Sequence, residues 1–150
     1  MMSVFVQVED FDVPAIYAAL KADAPQIGAI VTFTGLVREF NEGSTVEALY
    51  LEHYPGMTEQ VLEGLIDEAA KRWPIINATI VHRVGELKPA DQIVFVGVNS
   101  AHRDAAFAAA EYLMDILKTK APFWKREQRP EGNKWLDAKI SDDERATRWH

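Results

Sequence analysis

The fold is decided by residues 75–118, which read IINATIVHRVGELKPADQIVFVGVNSAHRDAAFAAAEYLMDILK. Residues 75–84 and 92–99 have the apolar, β-branched composition of strands, and a turn containing Gly, Pro and Asp separates them. Ser100 is then a natural N-cap for a helix over residues 101–118 with a small-residue and apolar face. This stretch predicts an antiparallel strand pair followed by a long helix.

The chain before this stretch begins with a predicted strand and helix. Residues 3–8 have strand composition. Asp12 suits an N-cap and Pro14 suits a first helical turn, so a helix is expected from there to about residue 22.

The next segment predicts a hairpin and a second helix. Residues 27–37 alternate between two faces like a long strand, and the polar stretch 39–45 joins them to a second strand at 46–54. This pair is expected to form a hairpin with a flexible tip. Thr58 is expected to cap a helix that runs to about Trp73 and has an apolar stripe.

The last predicted element is a strand over residues 123–129, after Pro122 closes the long helix. From Pro130 onward we expect only a tail rich in charge. The order of elements predicts an α+β fold with a largely antiparallel sheet, in one domain over residues 1–150.

Composition excludes several classes of function. Sixteen Lys and Arg residues against 23 Asp and Glu give a net charge of -7, which argues against a nucleic-acid or anionic-membrane binder. No apolar run is long enough to cross a membrane, and a cytoplasmic location is expected. The chain contains no cysteine, so any sulfur that it handles must arrive on another molecule.

A first candidate site is the pair His102 and Arg103 at the start of the long helix. With Ser100 as N-cap they occupy positions N2 and N3, where free N–H groups and the helix dipole favour an anion. The same position also suits two polar residues that merely solvate a helix start.

A second candidate is the basic segment KTKAPFWKRE at 118–127. On a strand its side chains alternate, with Phe123, Lys125 and Glu127 on one face and Trp124 and Arg126 on the other. A lysine among other cations can act as an acid, a base or a nucleophile. The alternative is that lysines at a helix C-terminus only complement the helix dipole.

Other polar residues give weaker signals. Arg38 ends the strand at 27–37, and Gly35 marks either a ligand approach or a bulge. His53 and His82 lie in strands with no second ligand at metal-binding spacing, and we interpret them as structural. No metal site and no cofactor is predicted.

The helix length separates two of the candidates. His102 and Lys118 lie sixteen residues apart, which is about 24 Å at ~1.5 Å per residue. They cannot easily flank one small substrate, so either they have different roles or a pocket is shared between two subunits. A functional dimer is a hypothesis at this point.

The same segments resemble the molybdopterin synthase large-subunit family, MoaE. The matching blocks are VTFTGLVR at 31–38, LEHYPGM at 51–57, HRVGEL at 82–87, FVGV at 95–98, AHR at 101–103 and LKTKAPFWKRE at 117–127. They occur in family order over a core of about residues 27–135.

The resemblance implies an α/β hammerhead-type fold and a homodimer that binds a small ubiquitin-like sulfur carrier, MoaD-like, at each end to form a heterotetramer. It implies that the substrate is cyclic pyranopterin monophosphate, which receives two sulfurs from the Gly-Gly thiocarboxylates of the carriers and becomes the molybdopterin dithiolene. The sequence ends in Arg148, Trp149 and His150 rather than Gly-Gly. The carrier is therefore expected to be a separate protein.

The resemblance also assigns roles to residues. Lys118 and Lys125 are the expected catalytic residues, with Lys118 as acid–base or transient covalent partner and Lys125 stabilising negative charge. The expected substrate-binding residues are both lysines and Leu36, Val37, Arg38, His102, Arg103, Arg126 and Glu127.

Two other classes of function are open. One is a non-catalytic scaffold that binds the carrier without turnover, against which the presence of both lysines argues. The other is a phosphotransfer enzyme, but the sequence has no G-x-x-x-x-G-K-[ST] loop and no acidic cluster with magnesium-binding spacing.

Overall fold

The computed structural model describes residues 3–22, 25–41, 43–136 and 140–149. The strands are β1 Ser3–Gln7, β2 Ala29–Leu36, β3 Phe40–Asn41, β4 Ser44–Thr45, β5 Ala48–His53, β6 Ile75–Arg83, β7 Gly85–Leu87, β8 Gln92–Ser100, β9 Phe123–Arg129 and β10 Gly132–Leu136. The helices are α1 Val13–Lys21, α2 Met57–Arg72, α3 Arg103–Lys120 and α4 Ile140–Thr147. None of the helices within these ranges is long and apolar enough to cross a membrane.

The first sheet has the strand order β1-β6-β8-β2, and only its β1–β6 pair is parallel. Helices α2 and α3 pack on one face, over Ile80, Val94 and Val96. On the opposite face Leu20 of α1 packs against Phe95. Because successive strand residues point to opposite faces, the nearly continuous apolar run of β8 is buried between two layers of helix.

The second sheet has the order β10-β9-β5-β7 and is antiparallel throughout. Leu49, Leu51 and Leu87 form a small core on one of its faces, and Phe123 and Leu136 pack against it. The two sheets confirm the predicted α+β class with mainly antiparallel pairing.

The predicted hairpin between residues 27–37 and 46–54 is wrong. Strand β2 pairs with β8, whereas β5 pairs with β7 and β9 in the other sheet. The register of β2 shifts at Gly35, where an added Cβ would lie 2.7 Å from Val94 Cγ1, so this glycine marks a bulge. The polar stretch after it contains the short β3–β4 pair.

Two of the three predicted helix caps lie elsewhere. Helix α2 begins after Gly56, and the buried hydroxyl of Thr58 accepts a hydrogen bond from Tyr54 N–H and donates one to Pro122 C=O. Helix α3 begins after His102, because Ser100 still belongs to β8 and its hydroxyl donates to the carbonyl of His102. Asp12, by contrast, caps α1 as predicted, accepting from Ala15 N–H at 3.2 Å.

The charged tail predicted from Pro130 onward contains two elements instead. Strand β10 extends the second sheet, and α4 packs on α3 with Ala146 buried. The carboxylate of Asp115 accepts hydrogen bonds from Trp149 Nε1 at 2.8 Å and from Arg148 at 3.0 Å. These contacts hold the segment after α4 against the long helix.

Candidate active site

A cavity of about 550 Å³ lies between the end of β2, the last turn of α3 and the inner face of β9. Six of the predicted site residues line it, namely Leu36, Val37, Arg38, Lys118, Lys125 and Glu127. These residues come from segments that are distant in sequence. Strand β9 is held in the second sheet by its pairing with β5, and its inner face lies across the cavity from the end of α3.

The two lysines reach the cavity from different elements. Lys118 is in the last turn of α3, where the negative end of the helix dipole favours a cation. The chain then turns through Ala121, and Pro122 leads into β9, whose alternation directs Lys125 inward with Phe123. A tight helix-to-strand turn thus brings both ammonium groups to one space.

A buried hydrogen-bond network supports the opposite wall. Glu127 is only 3% exposed, and Asn41 Nδ2 donates to its Oε2 at 2.7 Å. Its other oxygen accepts from the guanidinium of Arg129, including Nε at 2.8 Å. Arg38 in turn donates to Asn41 Oδ1 at 3.5 Å. Glu127 thus helps to hold the β3 strand and, through Asn41, Arg38.

The balance of charge makes the cavity cationic within an acidic protein. Lys118, Lys125 and Arg38 contribute positive charge, and the carboxylate of Glu127 is paired with Arg129. Among the described residues, Asp142 of α4 is the other carboxylate on the lining. The cavity therefore favours an anionic ligand with a phosphate or carboxylate group.

Neutral groups complete the lining. His82 of β6 is buried, and its ring stacks on Phe123 with centroids 3.9 Å apart. Burial, with the nearby charges of Lys125 and Lys118 as lesser causes, lowers the pKa of His82 to about 3. The imidazole is therefore neutral at physiological pH.

Three predicted site residues lie outside this cavity. Arg126 is on the outer face of β9, between the rings of Tyr50 at 5.1 Å and Trp135 at 5.7 Å. His102 and Arg103 are exposed at the start of α3. Because α3 is continuous from Arg103 to Lys120, that end lies about 22 Å from Lys118 at ~1.5 Å per residue.

Comparison with known proteins decides the family. The sequence model of the MoaE protein family matches residues 6–120, well over half of the chain. The chain belongs to the MoaE protein family.

Relatives of this MoaE chain are similar over most of its length. The molybdopterin synthase catalytic subunit of Ralstonia nicotianae is 52% identical over 149 residues, 99% of this chain and 85% of the relative. That of Escherichia coli is 58% identical over 128 residues, 85% of each chain.

Solved MoaE structures have the same fold. The molybdopterin biosynthesis MoaE protein of Burkholderia ambifaria aligns with a TM-score of 0.85 and 51% identity, covering 99% of this chain and 98% of that one. Molybdopterin synthase from Staphylococcus aureus aligns with a TM-score of 0.82 and 35% identity, covering 89% and 96%. These likenesses agree with the α+β architecture described above.

Sequence reasoning missed several residues of this MoaE cavity, including Asp142 of the predicted charged tail. His82 was interpreted as purely structural, although it lines the cavity, and Asn41 was assigned only to a flexible loop. Strand alternation gives the face of each residue but not which strands meet. The pairing of β6 with β8 positions His82, and the hydrogen bond to Glu127 of β9 positions Asn41. Among the described residues no group of His, Asp and Glu could hold a metal ion.

Proposed function

We propose that this chain is the catalytic subunit of a molybdopterin synthase. It transfers sulfur from the C-terminal thiocarboxylate of a small ubiquitin-like carrier to cyclic pyranopterin monophosphate, which forms the molybdopterin dithiolene. The observation that carries this proposal is the meeting of Lys118, Lys125 and Arg38 in one cationic cavity of an otherwise acidic MoaE protein. Its relatives are named molybdopterin synthase catalytic subunits.

The cavity suits the charges of both reactants. The substrate carries a phosphate and the carrier a thiocarboxylate, and both anions are attracted by the ammonium and guanidinium groups. A volume of about 550 Å³ lies within the usual range for a small-molecule site. In this proposal Arg38 binds the phosphate while Leu36 and Val37 form an apolar wall.

The two lysines divide the chemistry. Lys118, exposed at the rim, acts on the thiocarboxylate as acid–base or transient covalent partner. Lys125, half-buried on β9, stabilises the negative charge that develops during sulfur transfer. No cysteine is available to carry sulfur, so the sulfur comes from the separate carrier. The reaction is placed in the cytoplasm, a reducing compartment with which a chain free of cysteine is compatible.

A homodimer accounts for the distant pair at the other end of α3. His102 and Arg103 lie too far from Lys118 to reach the same small substrate within one chain. In the proposed assembly the helix start of one subunit completes the cavity of its partner, and a carrier binds at each end. The S. aureus structure that this chain resembles is that of a molybdopterin synthase, the enzyme proposed here.

The test is a reconstituted reaction. Purified protein, thiocarboxylated carrier and cyclic pyranopterin monophosphate are mixed, and dithiolene formation and loss of sulfur from the carrier are followed by mass spectrometry. Both are expected to occur together. Carrier binding without either change would contradict the catalytic proposal and favour a non-catalytic scaffold.

A further inference from the structure

The ring of His82 is fixed inside the cavity by contacts on two sides. It belongs to β6, opposite Val94 of β8, and is only 3% exposed. Its stack on Phe123, with 21° between the ring planes, sets the tilt of the imidazole. The side chain therefore has little freedom to turn when a ligand enters.

A hydrogen bond fixes which ring nitrogen carries the proton. Nδ1 lies 2.8 Å from the carbonyl oxygen of Arg83. A carbonyl can only accept, so Nδ1 must be the N–H donor. Because the pKa is lowered to about 3, the ring is neutral and Nε2 carries a lone pair.

The lone pair of Nε2 is open to the cavity. Within the described residues, Nδ1 makes the hydrogen bond of this ring. Among these residues, every side-chain nitrogen or oxygen that is inaccessible to solvent has a hydrogen-bond partner. Nε2 therefore keeps some accessible surface, and the ring that carries it lines the cavity.

Among the described residues of the lining, the charged hydrogen-bond acceptors are the carboxylates of Glu127 and Asp142. The charged groups of Lys118, Lys125 and Arg38 are donors only. Both oxygens of Glu127 already accept hydrogen bonds, from Asn41 and Arg129. A ligand that binds here with its anionic group on the cations finds in Nε2 an acceptor for one of its own N–H groups.

We propose that His82 is a further substrate-contacting residue, whose Nε2 accepts a hydrogen bond from an N–H group of the pterin ring system. This inference rests on the proposed function and deepens it, because it assigns the recognition of the ring as distinct from the phosphate. The bond to Arg83 keeps Nε2 an acceptor, so the site selects ligands that present a donor there.

Two substitutions separate this role from packing. His82→Asn keeps an amide that can donate to the Arg83 carbonyl but removes the acceptor at Nε2. His82→Gln extends further and can place its amide oxygen near Nε2. Steady-state kinetics are measured with each substrate varied in turn. Loss of one hydrogen bond predicts about a three- to tenfold rise in KM for the pterin in His82→Asn, with KM for the carrier unchanged. His82→Gln is expected to recover most of this loss.

A measurement on the wild-type protein tests the same contact without depending on whether the variants fold. The ¹⁵N resonances of His82 are followed while cyclic pyranopterin monophosphate is added without carrier. Before the addition, the ¹⁵N chemical shift of Nε2 is expected to be that of an unprotonated ring nitrogen. Binding of the pterin is expected to move this shift towards the protonated range, while the chemical shift of Nδ1 does not change.

The outcomes distinguish the two proposals. An unchanged Nε2 resonance at saturating pterin, or a pterin KM for His82→Asn equal to that of the wild type, would overturn the role of His82. Failure of the wild type to form product would instead overturn the proposed function, and the resonance titration would still decide whether the pterin touches His82.

Discussion

At the scale of single residues, the cavity depends on how buried charges are neutralised. Glu127 faces the lysines, yet it is bonded to Arg129 and Asn41, so it supports the wall without cancelling the positive charge of the cavity. His82 avoids a buried charge altogether by remaining neutral. Lys118, Lys125 and Arg38 contribute positive charge to the same cavity.

Removal of the Glu127 carboxylate is expected to destabilise the fold. Glu127→Ala deprives the buried guanidinium of Arg129 of this counter-charge, which predicts a free energy of unfolding lower by about 2–4 kcal/mol. Urea denaturation of the wild type and the variant measures this difference in the free energy of unfolding. Gln128→Ala, at an exposed neighbour on the same strand, is the control and should change stability little. A loss below about 1 kcal/mol for Glu127→Ala would show that the pair is not important for stability.

His82 predicts a specific dependence of stability on pH. Its pKa is about 3 in the folded chain, and an unfolded histidine titrates near 6.5. Between these values the unfolded state binds one more proton, so stability falls as pH drops from about 6.5 towards about 3, by up to ~1.4 kcal/mol per pH unit from this residue. Unfolding of wild type and His82→Gln from pH 4 to pH 6 should show this difference in slope. Parallel curves would contradict the buried neutral state.

At the scale of elements, the start of α3 is fixed by a close backbone contact. Gly28 N–H donates to Ser100 C=O at 2.9 Å, and a Cβ on Gly28 would lie 2.2 Å from the carbonyl oxygen of Ala101. The residue just before β2 therefore sets the path of the chain into His102 and Arg103.

Two glycine substitutions test this contact. Gly28→Ala must displace backbone and is expected to cost about 1–3 kcal/mol of stability and to shift the amide NMR signals of residues 101–103. Gly64→Ala is the matched control, because Gly64 is in α2 with open space around it. It should stabilise the protein by up to about 1 kcal/mol. Equal effects of the two changes would contradict the contact.

Elements with a local signal were predictable, and their pairing was not. Asp12, Pro122 and the alternation of residues 123–129 act within a few residues, and the structure confirms the boundaries that they predict. The partner of β2 depends on register with β8, some sixty residues away, so sequence adjacency favoured the wrong hairpin. The C-terminal β10 and α4 were missed because they are short and polar and depend on tertiary contacts.

The same limit applies to the site. Lys118, Lys125 and Arg38 were found from strand ends, helix ends and family resemblance, and the structure brings them together. Arg126 was placed on the opposite strand face from Lys125 by alternation alone, and the structure confirms this. The hydrogen bond from Asn41 to Glu127, and the approach of His82 to the cavity, join strands far apart in sequence and had no local signal.

At the scale of the whole molecule, the length of α3 separates two groups of candidate residues. Lys118 lies in the cavity, while Arg103 lies at the far end of the helix. In the proposed homodimer each complete site draws on both chains, so defects in the two groups should complement each other.

Co-expression of two inactive variants tests this sharing. In a mixed dimer of Lys118→Ala and Arg103→Ala, one site carries both defects and the other carries neither. Random assembly then predicts recovery of roughly a quarter of wild-type activity. The control mixes Lys118→Ala with Lys125→Ala, which alter the same cavity and should not complement. Equal activity of the two mixtures would contradict a shared site.

The most direct test of the central claim is dithiolene formation by lysine variants. Lys118→Ala and Lys125→Ala are assayed with cyclic pyranopterin monophosphate and thiocarboxylated carrier. Circular dichroism first checks that each variant is folded. Lys120→Ala is the matched control, since Lys120 lies on the same helical turn but outside the cavity. Each of the first two variants is expected to lose about 100-fold or more in turnover, and Lys120→Ala to stay near wild type. Wild-type turnover in either Lys118→Ala or Lys125→Ala would contradict the assignment of that lysine to the chemistry.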